Sequence, residues 1–368
     1  MPGHECPVDE RAFLYQIEPG RLIDAFLTHP PQGFVARTDE DGTPAFIAPF
    51  DILTTLAPEV RRRLMSVPLL GRWLSRWRVP TVFVGTTVTE YAPLSADLSP
   101  AMRAARWRYD LGRRFPLCVV KDLPQSSPLL GARDNADANL LVAACRDAGF
   151  IVLAGQSLAY VPIDFASIDD YLARLSSGRR KDLRRKLRTR DALEASHWRS
   201  GDARYDRDAL IDQYYALYAE TYAQSEIQFD RLTRPFLAAI LRDPENGGVC
   251  FEYRENGELL GFNLCFERDG MLIDKYIGLR YPAARHHNLY FVSWFVNLEY
   301  ALKHGMHSMV AGWTDPQVKA ALGASFTYTR HAVFIRHPVL RLLGRWCAHW
   351  FDGDSAVQAV AQRNRRDR

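Results

Sequence analysis

The 368-residue chain is short of the features that would name its chemistry at once. Its six cysteines, at 6, 118, 145, 250, 265 and 347, include no CxxC pair. Neither a zinc ligand set nor a disulfide framework is expected, and buried thiols of a reducing compartment are. No HxxxH spacing, Ser-His-Asp signature, Walker loop or dinucleotide fingerprint occurs. No metal is therefore expected. No apolar run approaches 18 residues, and residues 1–13, MPGHECPVDERAF, lack both a basic and an apolar stretch. A membrane span and a secretory signal are not expected, and the cytoplasm is the expected location. Short-period repeats are also missing.

What is present is a globular composition, 47% apolar and 24% charged, in a chain long enough for two domains and a large core. The net charge is only +4, yet GRRKDLRRKLRTR (178–190) alone carries +7. The basicity is a local patch, of the kind that attracts phosphates, nucleic acid or anionic lipid. As a helix this segment sets like charges four apart, as in Arg180/Arg184 and Arg184/Arg188. Each such pair costs roughly 0.2–0.5 kcal/mol. Packing of Leu183 and Leu187, or a bound anion, must hold it.

Periodicity divides the chain into two α/β units. The first shows strands at Gly33–Arg37, Ala45–Phe50, Thr81–Val84, Cys118–Lys121 and Phe150–Tyr160, with helices at Leu56–Met65, Ser99–Gly112 and Ala136–Ala148. The second opens with Ser167 and Asp170, spaced as a capping pair, followed by the basic helix and a helix over Asp208–Ala223. Residues 249–279, VCFEYRENGELLGFNLCFERDGMLIDKYIGL, read as three strands joined at Asn256-Gly257 and Asp269-Gly270, strong two-residue hairpin signals. A helix over Asn288–Lys303, a strand over Met306–Ala311, a helix over Pro316–Leu322 and a strand over Phe326–Arg336 complete the unit.

This order of elements resembles the GNAT acyltransferase superfamily, and more closely its Fem-like branch. The stretches that carry the resemblance are RRKDLRRKLR (179–188), GELLGFNLCF (257–266), LYFVSWFVNLEYALKHGM (289–306) and AGWTDPQVKAALGASF (311–326). It covers about residues 160–340 well and the first 155 by analogy. The resemblance implies two tandem GNAT-like domains with mixed, mainly antiparallel twisted sheets. They would be a degenerate N-terminal one over 1–159 and an acyltransferase domain over 160–345, followed by a polar tail at 353–368. Acetyl-CoA-binding members carry R/Q-x-x-G-x-G/A after the meander, where glycines let backbone N–H groups approach a pyrophosphate. Here the segment is RYPAAR (280–285), without glycine. Fem-type aminoacyltransferases also lack that loop and use aminoacyl-tRNA.

Several residues are candidates. Alternation in MLIDKYIG puts Asp274 and Tyr276 on one face, where they could serve as proton acceptor and donor in acyl transfer to an amine. A structural Asp274–Arg or Asp274–Lys pair is the competing reading. Glu226, with Asp230 and Arg231, lies on a loop suited to acceptor binding or catalysis; capping of the next helix would explain it equally. Arg180 and Arg184 of the basic helix, Arg280 and Arg285 of the loop, Asn288 as a helix N-cap, and Lys319 are the candidates for gripping a phosphate-bearing donor. A solvated basic face, a surface turn and an exposed helix lysine are the alternatives. RRRLMSVPLLGRWLSRWR (61–78) and IRHPVLRLLGRWCAHWF (335–351) mix Leu, Trp and Arg, which suits packing between domains or an interfacial helix at a membrane.

The expected function is N-acyl transfer, with acyl-CoA the first choice of donor and a small-molecule or peptide amine as acceptor. The alternatives are aminoacyl transfer from tRNA and a non-catalytic module for a polyanion or a membrane surface. DNA is not among the expected partners.

Overall fold

The computed structural model describes residues 13–51, 66, 78–225 and 228–346. The expected helix at Leu56–Met65, nearly all of 61–78, Glu226 and the tail at 353–368 lie outside them.

The fold is α/β. Among the described residues, eleven strands make one mixed, mainly antiparallel sheet: β1 (Val35–Thr38), β2 (Pro44–Phe50), β3 (Val79–Val84), β4 (Leu117–Gln125), β5 (Ile151–Pro162), β6 (Glu194–Arg199), β7 (Gly248–Glu255), β8 (Glu258–Arg268), β9 (Met271–Leu279), β10 (Ser308–Gly312) and β11 (Ser325–Ile335). Their order across the sheet is β1-β2-β3-β4-β11-β5-β10-β9-β8-β7-β6. Among the strands of the described residues, only β3–β4 and β9–β10 are parallel. Among the described residues, the α-helices of four or more residues are α1 (Gly20–Thr28), α2 (Pro100–Arg106), α3 (Ala132–Asp147), α4 (Ile168–Ala173), α5 (Ser177–Leu187), α6 (Asp208–Gln224), α7 (Arg234–Arg242), α8 (Ala283–His286), α9 (Leu289–Lys303), α10 (Pro316–Leu322) and α11 (Pro338–Trp346).

The sheet reads nearly the same from its middle outward in both directions. On one side β11 pairs antiparallel with β4, β4 parallel with β3, and β3 antiparallel with β2. On the other, β5 pairs antiparallel with β10, β10 parallel with β9, and β9 antiparallel with β8. The strand that follows β4 in sequence thus sits beside β10, and the strand that follows β10 sits beside β4. We propose that the two halves divided at 159/160 have exchanged these strands; the boundary then falls inside β5, which belongs to the second half in space.

Local chemistry explains most elements. Both hairpin turns place two residues at positive φ, Asn256 with Gly257 and Asp269 with Gly270, which is what two-residue primed turns require. Ser167 accepts from Asp170 N at the start of α4. Helix α5 is held by packing: Leu183 is buried beside Phe295 and Leu298 of α9, and Leu187 packs against the same cluster. The meander departs from simple alternation. Phe262, Leu264 and Phe266 share one core cluster, but Leu260 joins another. A bulge is the reason: Tyr253 faces Gly261 while Arg254 faces Leu259, so Leu260 is an extra residue that turns to the opposite side.

Candidate active site

Strand β9 carries a second bulge, and it organises the site. Leu264 lies opposite Tyr276 and Cys265 opposite Asp274, so Lys275 is the extra residue. Neighbours along β8 point to opposite faces, and their partners do the same. Asp274 therefore lies on the face covered by α9, and Tyr276 on the face covered by α6 and α7. The expectation that they share a face fails because one inserted residue breaks the period of two.

The parallel pairing of β9 with β10 also stops here. Met271, Leu272 and Ile273 pair with Ser308, Met309 and Val310, and no further residues of the two strands pair. At that point β10 shifts register against β5 between Val310 and Gly312. Asp274 is thus the first residue of β9 beyond its parallel neighbour. Helix α10 brings Lys319 to the same place: a Cβ on Gly312 would stand 3.9 Å from Lys319 Nζ and 3.9 Å from Asp274 O. Lys319 is buried, not the exposed helix lysine of the alternative reading. Its helix is anchored by Leu322, whose carbonyl accepts from Tyr171 Oη at 2.6 Å, and by Gly323, where a Cβ would clash with Tyr171 and Leu175.

Two amides hold the Asp274 carboxylate. Asn263 Nδ2 donates to Oδ1 at 2.6 Å and Asn297 Nδ2 donates to Oδ2 at 3.2 Å. Burial pushes the carboxyl up to about 6, against the pull of Asn263 and of Lys319. Burial likewise pushes Lys319 down to about 8, against the field of Asp274. Among the described residues the two form no ion pair. Near neutral pH the site presents a mostly ionised base and a mostly protonated ammonium, each within the other's field. Such a pair can accept a proton and stabilise a developing oxyanion. Burial, then the charges of Asp315 and Asp274, keeps the phenol of Tyr290 on α9 well above its ordinary value.

The opposite face holds a second polar group. Lys275 Nζ lies 2.5 Å from Glu90 Oε1 and 3.5 Å from Glu18 Oε1, and both glutamates are buried. Glu18 Oε1 also accepts from Glu90 N at 2.6 Å. Burial raises the Glu18 carboxyl to about 7, with Lys275 opposing and Glu90 adding. Among the described residues, Glu18 Oε2, Glu90 Oε2 and Tyr276 Oη are enclosed without a hydrogen-bond partner. Burial raises the carboxyl of Asp230 as well, opposed by Lys121. Lys121 Nζ donates to Thr86 O at 2.8 Å and pairs with Asp122.

The remaining candidates are spread out. Arg180 donates to the carbonyls of Ala173 and Leu175, closing the end of α4. Arg184 forms a surface pair with Asp169 at 3.0 Å. Arg280 pairs with Glu258 at 2.9 Å, and Arg285 donates to Gln224 at 3.0 Å. Asn288 stands at the N-cap of α9 with φ 51°, and its side chain makes no capping bond there, a correction to the N-cap role expected from the sequence. Most backbone N–H groups of the loop are already used, that of Ala283 excepted. Tyr281 N donates to Glu220 Oε2 at 3.1 Å, and those of Ala284, Arg285 and His286 bond within the turn that forms α8.

Sequence reasoning missed Lys275, Glu18, Glu90, Asn263 and Asn297. A signal existed for Asn263, a lone amide in an apolar strand. None existed for Glu18 and Glu90, which are some 70 residues apart and nearly 190 residues or more before Lys275. Among the described residues no three His, Cys, Asp or Glu side chains form a group that could hold a metal. No helix among them is long and apolar enough to cross a membrane.

A family model, FemAB-like, described as peptidoglycan biosynthesis/recognition, matches residues 136–361. No curated protein matches the sequence. Solved structures share the fold. One is a C-terminal domain assigned to a lysylphosphatidylglycerol synthetase from Agrobacterium fabrum, with 13% identity over 89% of this chain and 94% of that one, at a TM-score of 0.52. Another is L-PGS from Bacillus licheniformis, with 10% identity over 95% and 98% and a TM-score of 0.52. A conserved protein of unknown function from Bacteroides thetaiotaomicron follows, with 10% identity over 89% and 95% and a TM-score of 0.50.

Proposed function

Because the chain belongs to the FemAB-like family, we propose that it transfers an aminoacyl group from the ester of an aminoacyl-tRNA to an amine, at the gap where Asp274 faces Lys319. The observation that carries this reading is the pairing of a buried carboxylate raised to about 6 with a buried ammonium lowered to about 8, both at the point where β9 and β10 part.

In this reading the acceptor nitrogen attacks the ester carbonyl and forms the C–N bond. Asp274 takes the proton that the nitrogen must lose, and Asn263 and Asn297 keep the carboxylate aimed. Lys319 donates a charged hydrogen bond to the oxyanion of the tetrahedral adduct. Collapse breaks the C–O bond, and the ribose oxygen leaves with a proton returned from the site. An amide and a free hydroxyl result, with no covalent enzyme intermediate. Positioning supplies the rest of the rate.

The choice of donor follows from the loop at 280–285. A pyrophosphate needs free backbone N–H groups and no carboxylate beside them. Here the N–H groups of Ala284, Arg285 and His286 are bonded within the turn, Glu220 occupies the one at Tyr281, and Ala283 alone keeps a free one, too few to cradle a pyrophosphate. The acyl-CoA donor preferred from the sequence fits this loop poorly. The exposed cations of α5 and its C-terminal end, Lys181, Arg184, Arg185 and Arg188, suit an RNA backbone better. Incubation with tRNA charged with labelled amino acids and a panel of amines tests the reading. Transfer of label into amide product is expected. Transfer from acetyl-CoA, or a melting shift with CoA that survives moderate salt, would replace it with the acyl-CoA reading.

A further inference from the structure

Helix α11 is built with its polarity reversed. It follows β11 and rests on the ends of β11 and β5 through Gly344, where a Cβ would come within 2.9 Å of Ile151 Cδ1 and 3.0 Å of Ile335 Cδ1. Its arginines reach back to the protein. Arg341 lies 4.5 Å over the Phe334 ring and donates to Ile335 O at 3.0 Å. Arg345 donates to Gly149 O at 3.2 Å. The apolar side chains face outward: Val339, Leu340, Leu342, Leu343 and Trp346 are between 50% and 74% exposed, and no residue of the helix is buried. An amphipathic helix of a water-facing surface does the opposite.

The surroundings of this face are cationic. Arg336 is exposed and donates to Arg113 O, and Arg113 and Arg114 are exposed beside it. Arg345 and Arg108 both repel the charge of Arg341, adding to the effect of its burial. From Phe326 to Phe351 the chain contains no Asp or Glu. The partner of this face must therefore be apolar in depth and anionic at its surface. A nucleic acid would engage the arginines and leave the leucines wet. A second copy docked through the same helix would bring two arginine rims together.

We propose that α11 is an interfacial anchor that lays the outward face of Leu340, Leu342, Leu343 and Trp346 into an anionic phospholipid bilayer, with Arg113, Arg114 and Arg336 against the headgroups. The inference does not rest on the aminoacyl-transfer reading. The eleven residues of β11 separate α11 from the Lys319 end of the sheet by roughly 30 Å at about 3.3 Å per residue.

Co-flotation of the full chain with vesicles tests it. Binding to vesicles of equal phosphatidylglycerol and phosphatidylcholine is expected, with little to pure phosphatidylcholine and a marked loss at high salt. Leu342→Glu with Leu343→Glu should cut partitioning about tenfold or more without lowering the melting temperature, since both residues are exposed. Arg113→Glu with Arg114→Glu should independently remove most of the preference for anionic vesicles, about tenfold or more. No binding to anionic vesicles, equal binding to both compositions, or binding indifferent to both double substitutions would overturn the proposal. So would a dimer in light scattering that the Leu342/Leu343 substitution dissolves, which would assign the face to a second copy.

Discussion

The two parallel strand pairs occupy matching places in the sheet, and they differ where chemistry is concerned. In β3–β4, Thr81, Val82, Phe83 and Val84 pair in register with Leu117, Cys118, Val119 and Val120, with no shift. All of these are buried, and all but Thr81 pack into the apolar core. In β9–β10 the pairing ends after three residues, β9 bulges at Lys275, and a carboxylate and an ammonium fill the parting. A flush parallel pair covered on both faces has no room for a reacting group. A pair that parts leaves backbone and space unclaimed, and a bulge beside it re-aims side chains into that space. The same architecture thus gives a structural half and a half with a candidate site.

Substitutions at the two places should separate. Asp274→Asn is expected to lower kcat by about 10²–10⁴ while the protein stays folded, the range for losing a positioned base; unchanged turnover in a transfer assay would clear Asp274. Phe83→Ala, in the flush pair, should cost about 3–5 kcal/mol of stability by denaturant unfolding and leave kcat per folded molecule intact. A loss of kcat there would mean that the first half also takes part in the reaction. Lys319→Met should cost about 10²–10³ in kcat, the usual loss for one oxyanion donor. At the small end, Arg184→Ala should change stability by less than about 1 kcal/mol, since its pair with Asp169 is exposed.

The pH profile sharpens the contrast further. Asp274 must be ionised to accept a proton, so activity should fall as pH drops through about 6. Lys319 must be protonated to stabilise an oxyanion, so activity should fall as pH rises through about 8. The acid limb should vanish in residual activity of Asp274→Asn, and the alkaline limb in that of Lys319→Met. The stability linkage has its own sign. The folded carboxyl is raised, so its contribution is present below the ordinary carboxylate value and is lost as pH rises through about 6.

Much of the fold was legible because it depends on local chemistry. The Asn-Gly and Asp-Gly turns, the Ser167 cap, the limits of α10 and the apolar periods of α6 and α9 all follow from a few neighbouring residues. The candidate site was legible in part. Asp274 stood out as a carboxylate in an apolar strand, and Lys319 as a lysine before Leu-Gly-Ala, but the face of one and the burial of the other did not. An extra residue in a strand has no residue type of its own, so the bulge at Lys275 leaves no mark, and simple alternation puts Tyr276 beside Asp274 instead of across the sheet from it. The basic segment looks like a single unit in the sequence, yet Arg180 closes α4 and Arg190 clamps Glu299 at 2.6 and 2.8 Å.

By itself, the sequence determined the elements, their order and the charged patch, since turn geometry, capping and hydrophobic period act over a few residues. Tertiary structure alone decided which strands became neighbours. It set β11 beside β4 and β5 beside β10, parted β9 from β10, and brought Glu18 and Glu90 to Lys275 across the halves. It also turned the leucines of α11 outward. These outcomes depend on which faces meet when the sheet closes up, and on the cost of burying each charge without a partner, which no short stretch of chain encodes.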